Sequence, residues 1–174
     1  LEGWSGNTRN EFWGSATYNS PGTTTSEGIE FMSKWRASDF LNLDFNYTYT
    51  STFDGAEHDD PDKNSDYTNS QMVRVPRHFA NLGINYIFPD KNLNLTLSNK
   101  ISSNARDYGH VQTYDFEDRV LNSYMVNDLS LNYNLYGKYK IFFDINNIFD
   151  KKYETSLQYS QMDRSYNFGI KRNY

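Results

Sequence analysis

The stretch Leu41-Asn42-Leu43-Asp44-Phe45-Asn46-Tyr47-Thr48-Tyr49-Thr50 alternates an apolar with a polar side chain at every step. Successive side chains of an extended strand point to opposite faces, so Leu41, Leu43, Phe45, Tyr47 and Tyr49 share one face and polar residues fill the other. The pattern returns along the chain. Ala80, Leu82, Ile84, Tyr86 and Phe88 alternate with Asn81, Gly83, Asn85 and Ile87, and Leu93, Leu95, Leu97 and Ile101 with Asn94, Thr96, Ser98 and Lys100. Leu129, Leu131, Tyr133 and Leu135 oppose Asp128, Ser130, Asn132 and Asn134; Tyr139, Ile141, Phe143 and Ile145 are interleaved with Lys140, Phe142, Asp144 and Asn146. Tyr166, Phe168 and Ile170 alternate with Ser165, Asn167, Gly169 and Lys171, and a noisier strand, Ile29 to Trp35, precedes them all. The reading is seven strands and no helix.

The connections alternate in length. Those near 37–40, 89–92 and 136–138 are tight and carry Ser-Asp, Pro-Asp and Gly, residues that turns favour. Those near 53–72, 103–123 and 147–164 are long. Short turns at one end and long loops at the other are the mark of an outer-membrane barrel, and most strands approach the length that crosses a bilayer. Aromatics at or near strand ends, among them Tyr47, Tyr86, Phe88, Tyr133, Tyr136, Tyr139 and Tyr166, fit girdles at the headgroup level. Backbone groups in hydrocarbon must be paired, so a membrane sheet must close, and single-chain bacterial barrels use even strand counts. The expected fold is therefore all-β: an antiparallel up-and-down transmembrane β-barrel, of which these seven strands are an arc completed by strands ahead of Leu1.

Composition agrees with that fold and excludes others. The 174 residues include 3 Trp, 15 Tyr and 12 Phe, too many aromatics for a disordered chain. Without Cys there is no disulfide and no thiolate metal site. A net charge of -5 gives no basic footprint for nucleic acid. Mean hydropathy is -0.84 and no apolar run could form a transmembrane helix, which says nothing against membrane strands.

Three stretches carry a family resemblance. Ser26-Glu27-Gly28-Ile29-Glu30 running to Trp35 and on through 41–49 resembles the late strands of TonB-dependent outer-membrane receptors, as does Val73-Arg74-Val75-Pro76-Arg77-His78. The most specific match is Asn147-Ile148-Phe149-Asp150-Lys151-Lys152-Tyr153, followed by Arg164-Ser165-Tyr166, which resembles that family's last hairpin. The resemblance implies that residues 1–174 are the C-terminal part of a 22-stranded barrel in the bacterial outer membrane, with a plug domain and earlier strands elsewhere. It implies active transport of a large scarce nutrient, driven by TonB through the plug. Within the family the spacing is most similar to the vitamin B12 (cobalamin) receptor, with a ferric-siderophore receptor as the alternative. By that similarity Arg74, Tyr108 or Tyr114, and Tyr159 are the expected substrate-binding residues. Their chemistry suits the task, since Arg donates to amide and phosphate oxygens and Tyr offers a flat apolar face with a polar tip. Asn167, Gly169 and Tyr174 resemble the C-terminal signal read by the outer-membrane assembly machinery, although Arg172 stands where an aromatic is usual. Strand addition at a sheet edge would read such a signal.

Other motifs are set aside. Asp60, Asp62 and Asn64 have the opening spacing of a calcium loop, but Ser65 and Gln71 occupy the positions of its Gly and Glu, so the acidic segment reads as a solvated loop. His58, His78 and His110 have no neighbour at metal spacing, and no cofactor or metal is expected. His78 with Ser98 or Ser102 is the sole pairing that resembles a hydrolase, and nothing activates it. No catalysis is expected. The rivals are a passive porin, which shares the strands but not the last-hairpin motif, and a soluble β-sandwich, which would bury its apolar rows against a second sheet.

Overall fold

Alternation of this kind has to show itself as register. In a computed structural model describing residues 23–53, 71–90, 92–110 and 116–172, the chain forms β1 (Thr25–Arg36), β2 (Leu41–Phe53), β3 (His78–Ile87), β4 (Leu93–Ser102), β5 (Ala105–His110), β6 (Phe116–Leu121), β7 (Tyr124–Leu135), β8 (Tyr139–Asn146), β9 (Glu154–Ser156), β10 (Tyr159–Ser160) and β11 (Ser165–Arg172). There is no helix among the described residues. Seven strands make one sheet in the order β1-β2-β3-β4-β7-β8-β11, and all but the outer ends of β1 and β2 belong to a single unit, Ser26–Thr52 with Gln71–Tyr174. From β2 across to β11 every neighbouring pair in this sheet is antiparallel.

The seven strands are those the alternation predicts, but two of the long connections are not bare loops. The 103–123 connection folds as the ribbon β5–β6, and the last one contains the small ribbon β9–β10. Period two could not reveal β5–β6, because charged residues fill its registers: Asp107 faces Arg119, and Arg106 faces Val120.

The registers line up the apolar residues row by row. Leu41 pairs with Tyr86, Tyr86 with Leu95, Leu95 with Leu131, Leu131 with Phe143 and Phe143 with Phe168. The next row runs Leu43, Ile84, Leu97, Leu129, Ile145 and Tyr166. No described element covers this face. Phe168 is 70% exposed, Ile170 63% and Phe31 54%, and the buried apolar residues among those described are only Leu121 and Val126. Burying one large apolar side chain stabilises by about 1.5–3 kcal/mol, a gain that a sandwich would take from its second layer. This sheet has a single layer, so its apolar face needs another apolar phase.

The opposite face is knitted by polar side chains. Asn81 donates to Asn46 (2.9 Å), Asn85 to Asn94 (2.8 Å) and Thr96 (3.0 Å), Ser130 to Asp144 (2.6 Å), Asn132 to Ser130 (3.1 Å) and Asn146 to Ser165 (3.1 Å). All but the Asn132–Ser130 bond, which runs along β7, join neighbouring strands; cross-strand pairs contribute about 0.2–1 kcal/mol each and suit a hydrated lining. One row breaks the division: Leu82 pairs with Asn99 and Asn99 with Asn127, which sets two amides on the apolar face. They satisfy one another in part, Asn127 donating to Asn99 and Asn99 to the Leu82 carbonyl (3.1 Å).

The tight turns follow their residues. Ser38 Oγ accepts from the Phe40 and Leu41 amides (both 3.1 Å), and Asp90 accepts from the Asn92 amide (3.1 Å). Between β7 and β8, Tyr136 (φ 52°) and Gly137 (φ 68°) both lie in the left-handed region, and Lys138 N donates to Leu135 O (3.1 Å). Two successive positive φ angles make the type I′ turn whose twist matches the flanking strands. A Cβ on Gly137 would meet nothing within 4 Å, so Gly137→Ala probes conformation alone. It is expected to cost about 1 kcal/mol, read as a lower urea midpoint of the protein in detergent with an unchanged m-value.

Candidate functional site

The long connections all leave the sheet at one end, where β2, β4 and β8 finish and β3, β7 and β11 begin. There the segment 71–77 is fastened to β2. Gln71 Oε1 accepts from Thr52 N (3.0 Å), Gln71 Nε2 donates to Thr50 O (3.2 Å), and Thr52 Oγ1 accepts from Met72 N (2.8 Å). It is also fastened to β5: Arg74 N donates to Arg106 O (2.7 Å) and Arg106 Nη1 to Gln71 O (3.1 Å).

Arg74 has φ 61°, an uncommon conformation for a residue with a side chain, and its Nε donates to Asp107 Oδ1 (2.9 Å). The Asp107 side chain is fully buried while that of Arg74 is 55% exposed. The second oxygen, Oδ2, accepts from Leu157 N (2.7 Å) in the turn between β9 and β10. A single carboxylate thus joins three connections that are distant in sequence.

Beside Arg74 lies an open cavity of about 300 Å³ lined by Phe79, Ser102, Leu121, Tyr124 and Glu154 among others. Lys100 Nζ sits 5.7 Å from the Phe79 ring centre and 6.0 Å from that of Tyr124, and Tyr153 packs on Tyr124 with ring centres 4.4 Å apart. Burial is the main cause that raises the Tyr153 phenol above its ordinary value, helped by nearby Tyr124 and Asp128. The cavity therefore offers a cation, an anion, hydroxyls and aromatic walls, the equipment to hold a polar ligand with flat groups.

The 147–164 connection explains its own sequence. Asn147 is buried with φ 53°; its side chain accepts from Lys151 N (2.8 Å) and donates to Lys151 O (3.0 Å) and Met162 O (3.4 Å). Its backbone N donates to Asp128 Oδ1 (2.7 Å), which fixes the turn to β7. Asp150, at φ 52°, accepts from Arg164 N (2.9 Å), and Arg164 Nη1 donates to Ile148 O (3.2 Å). The Arg164 backbone bond, followed by the charges of Lys152 and Arg164, holds the Asp150 carboxyl below its usual range. Lys152 bridges Asp163 and Asp150, and the hydrogen bond to Asp163 raises its pKa. Asn147, Asp150 and Arg164 therefore build the turn, and the motif aromatics Phe149 and Tyr166 are left exposed.

That geometry, a single-layer sheet with one apolar face and one polar face and a folded crown on one end, coincides with a family match over residues 3–148, described as TonB dependent receptor-like, beta-barrel. The chain belongs to the TonB-dependent receptor β-barrel family. Solved structures similar to this receptor barrel include the siderophore receptor PiuA of Acinetobacter baumannii (24% identity, TM-score 0.68, 86% of this chain and 22% of that one). Two more are the ferripyoverdine receptor of the Pseudomonas aeruginosa outer membrane (17%, 0.68, 84% and 19%) and the ferric-catecholate import receptor Fiu of E. coli (15%, 0.69, 86% and 21%). These likenesses concern the fold, and the chain spans about a fifth of the length of each structure. No curated protein matches it.

The expected site residues separate in this receptor barrel. Arg74 lines the cavity, whereas Tyr159 is 71% exposed on β10, tied to it through Leu157 and Asp107. The backbone of Tyr108 lies in β5; Tyr114, Tyr174 and the acidic segment with its calcium-like spacing lie outside the described residues. Asn167 and Gly169 are on β11 at an edge of the described sheet. His78 Nδ1 lies 2.8 Å from the Tyr47 hydroxyl and the two rings stack. Since Phe79 pairs with Ser102 and Gly83 with Ser98, both serines face away from His78 across the sheet, which removes the hydrolase-like pairing. Asp107 escaped sequence reasoning; its one signal is an acidic residue in register with Arg119 across a ribbon.

Proposed function

We propose that this chain forms the C-terminal arc of a TonB-dependent receptor that imports a ferric siderophore across the bacterial outer membrane. The observation that carries the reading is the crown cavity, where Arg74 and the Phe79 and Tyr124 rings line the polar end of a membrane-type sheet. Ferric siderophores are large oxygen-rich chelates, often anionic and aromatic, and a half-exposed guanidinium beside flat apolar faces suits them. Solved proteins of like fold include a siderophore receptor, a ferripyoverdine receptor and a ferric-catecholate import receptor. Cobalamin, which the 147–166 spacing favours, is the second reading, and Arg74, Tyr108, Tyr114 and Tyr159 serve either ligand. In this reading TonB acts through the plug, acyl chains cover the apolar rows, and long loops meet the medium. Asn167, Gly169 and Tyr174 act as the assembly signal, and β11, exposed along most of its length, is suited to strand addition.

Equilibrium binding to the full-length receptor in detergent decides between ligands. Ferric pyoverdine or a ferric catecholate is expected to bind and cyanocobalamin is not; the reverse result installs the cobalamin reading, and binding of neither class rejects the transport proposal. Tyr159→Ala is expected to weaken binding about tenfold, or 1.4 kcal/mol, with membrane insertion unchanged; unaltered affinity removes Tyr159 from the site.

A further inference from the structure

The three connections at the crown meet on one buried carboxylate, and that arrangement has a functional meaning beyond folding. Asp107 makes no use of solvent: its side chain is fully buried, with Oδ1 on Arg74 Nε and Oδ2 on Leu157 N. Arg74 comes from the segment before β3 and lines the cavity, while Leu157 belongs to the ribbon whose next strand opens with Tyr159. Charge-assisted bonds to a desolvated carboxylate are about twice as strong as neutral ones, so both partners are held firmly. Arg74 is held in a second way, because its own amide donates to Arg106 O with the backbone at positive φ. Such a conformation persists only when the surroundings over-determine it. Gln158, between Leu157 and Tyr159, also has positive φ, at 66°. The guanidinium uses Nε for Asp107 and keeps more than half of its side chain exposed, so its outer edge can still take an anionic oxygen.

We infer that Asp107 is a positioning residue that couples Arg74 in the cavity to the ribbon bearing Tyr159, so that the two expected ligand contacts act as one unit. The inference rests on the transport reading for its ligand but not for its geometry. An anionic ligand drawing on Arg74 competes for the charge that Asp107 shares, and any shift of Asp107 is felt at Leu157. Without the clasp, Tyr159 is no longer held in a fixed relation to the cavity.

Two measurements on the full-length receptor test it. In hydrogen–deuterium exchange without ligand, Asp107→Asn and Arg74→Ala are each expected to speed exchange across 154–160 at least tenfold while 139–146 stays unchanged. Unaltered exchange at 154–160 in both variants overturns the coupling. In ferric pyoverdine affinity, Tyr159→Ala is expected to cost about tenfold in the wild type and less than twofold in the Asp107→Asn background. Losses that simply multiply overturn it even if exchange rises, because Asp107 would then be supporting the fold alone. If the wild-type receptor binds neither a ferric chelate nor cyanocobalamin, the transport reading falls and the exchange result alone decides the clasp.

Discussion

Replacing Asn147 with alanine is expected to remove about 3–5 kcal/mol from the stability of the receptor barrel, enough to deplete its assembled form. Two costs combine. Alanine at φ 53° pays the penalty of a left-handed conformation that asparagine tolerates well, about 1 kcal/mol. The larger cost is in hydrogen bonding, because the buried amide serves both backbone groups of Lys151 and reaches the Met162 carbonyl. A buried backbone group left without its partner costs about 1–3 kcal/mol. Asn147→Gly separates the two, since glycine accepts the dihedral but offers no side chain, and it is expected to be about 1 kcal/mol milder than alanine. Urea unfolding in detergent, together with the fraction of heat-modifiable barrel on unboiled gels, reads both. A midpoint for Asn147→Ala equal to that of the wild type would show that the turn does not depend on this amide.

The second large effect is expected at Gly169. It pairs with Phe142 across β8 and β11, on the face otherwise lined by polar side chains, and the phenyl ring lies directly over it. A Cβ built on Gly169 would stand 2.4 Å from Phe142 Cζ and 2.7 Å from Cε1, so even alanine must push the ring aside. Overpacking of this kind costs about 1–3 kcal/mol. The ring is a side chain and can move, which makes a double-mutant cycle decisive. Gly169→Ala is expected to destabilise the wild type but to be nearly neutral in a Phe142→Ala background, with a coupling energy on the order of 1–2 kcal/mol. An equal cost in both backgrounds would mean that Gly169 is needed for some reason other than the Phe142 ring.

Both sites show how far sequence reading reaches. The seven long strands, their faces and their tight turns were legible because one polar and one apolar environment act on every strand, and period two records that difference directly. The Asn147–Asp150 turn was legible as a resemblance, and its physical cause emerges only with the hydrogen bonds, since three of its residues serve backbone groups. The ribbons β5–β6 and β9–β10 were not legible: they extend beyond the sheet and carry no two-environment signal. Asn99 and Asn127 escaped notice because each looked like one irregular residue in its own strand, and only the register makes them a pair. Asp107 escaped because its burial is created by segments that come from distant parts of the chain.

The rows of paired residues also record how the strands are set in the bilayer. Following the register from Leu41 on β2 leads through Tyr86, Leu95 and Leu131 to Phe143 on β8, four strand-to-strand steps away. Yet the apolar run on β8 begins at Tyr139, four residues nearer the short turn (143 minus 139). The lipid-facing band therefore slips by one residue per strand relative to the hydrogen-bond rows. A slab of hydrocarbon is flat, so such a slip requires strands inclined to the membrane normal; one residue of shear per strand corresponds to a tilt of about 36°, within the range of outer-membrane barrels. The inclination is thus written in the offset between where the greasy residues start and which neighbours they hold.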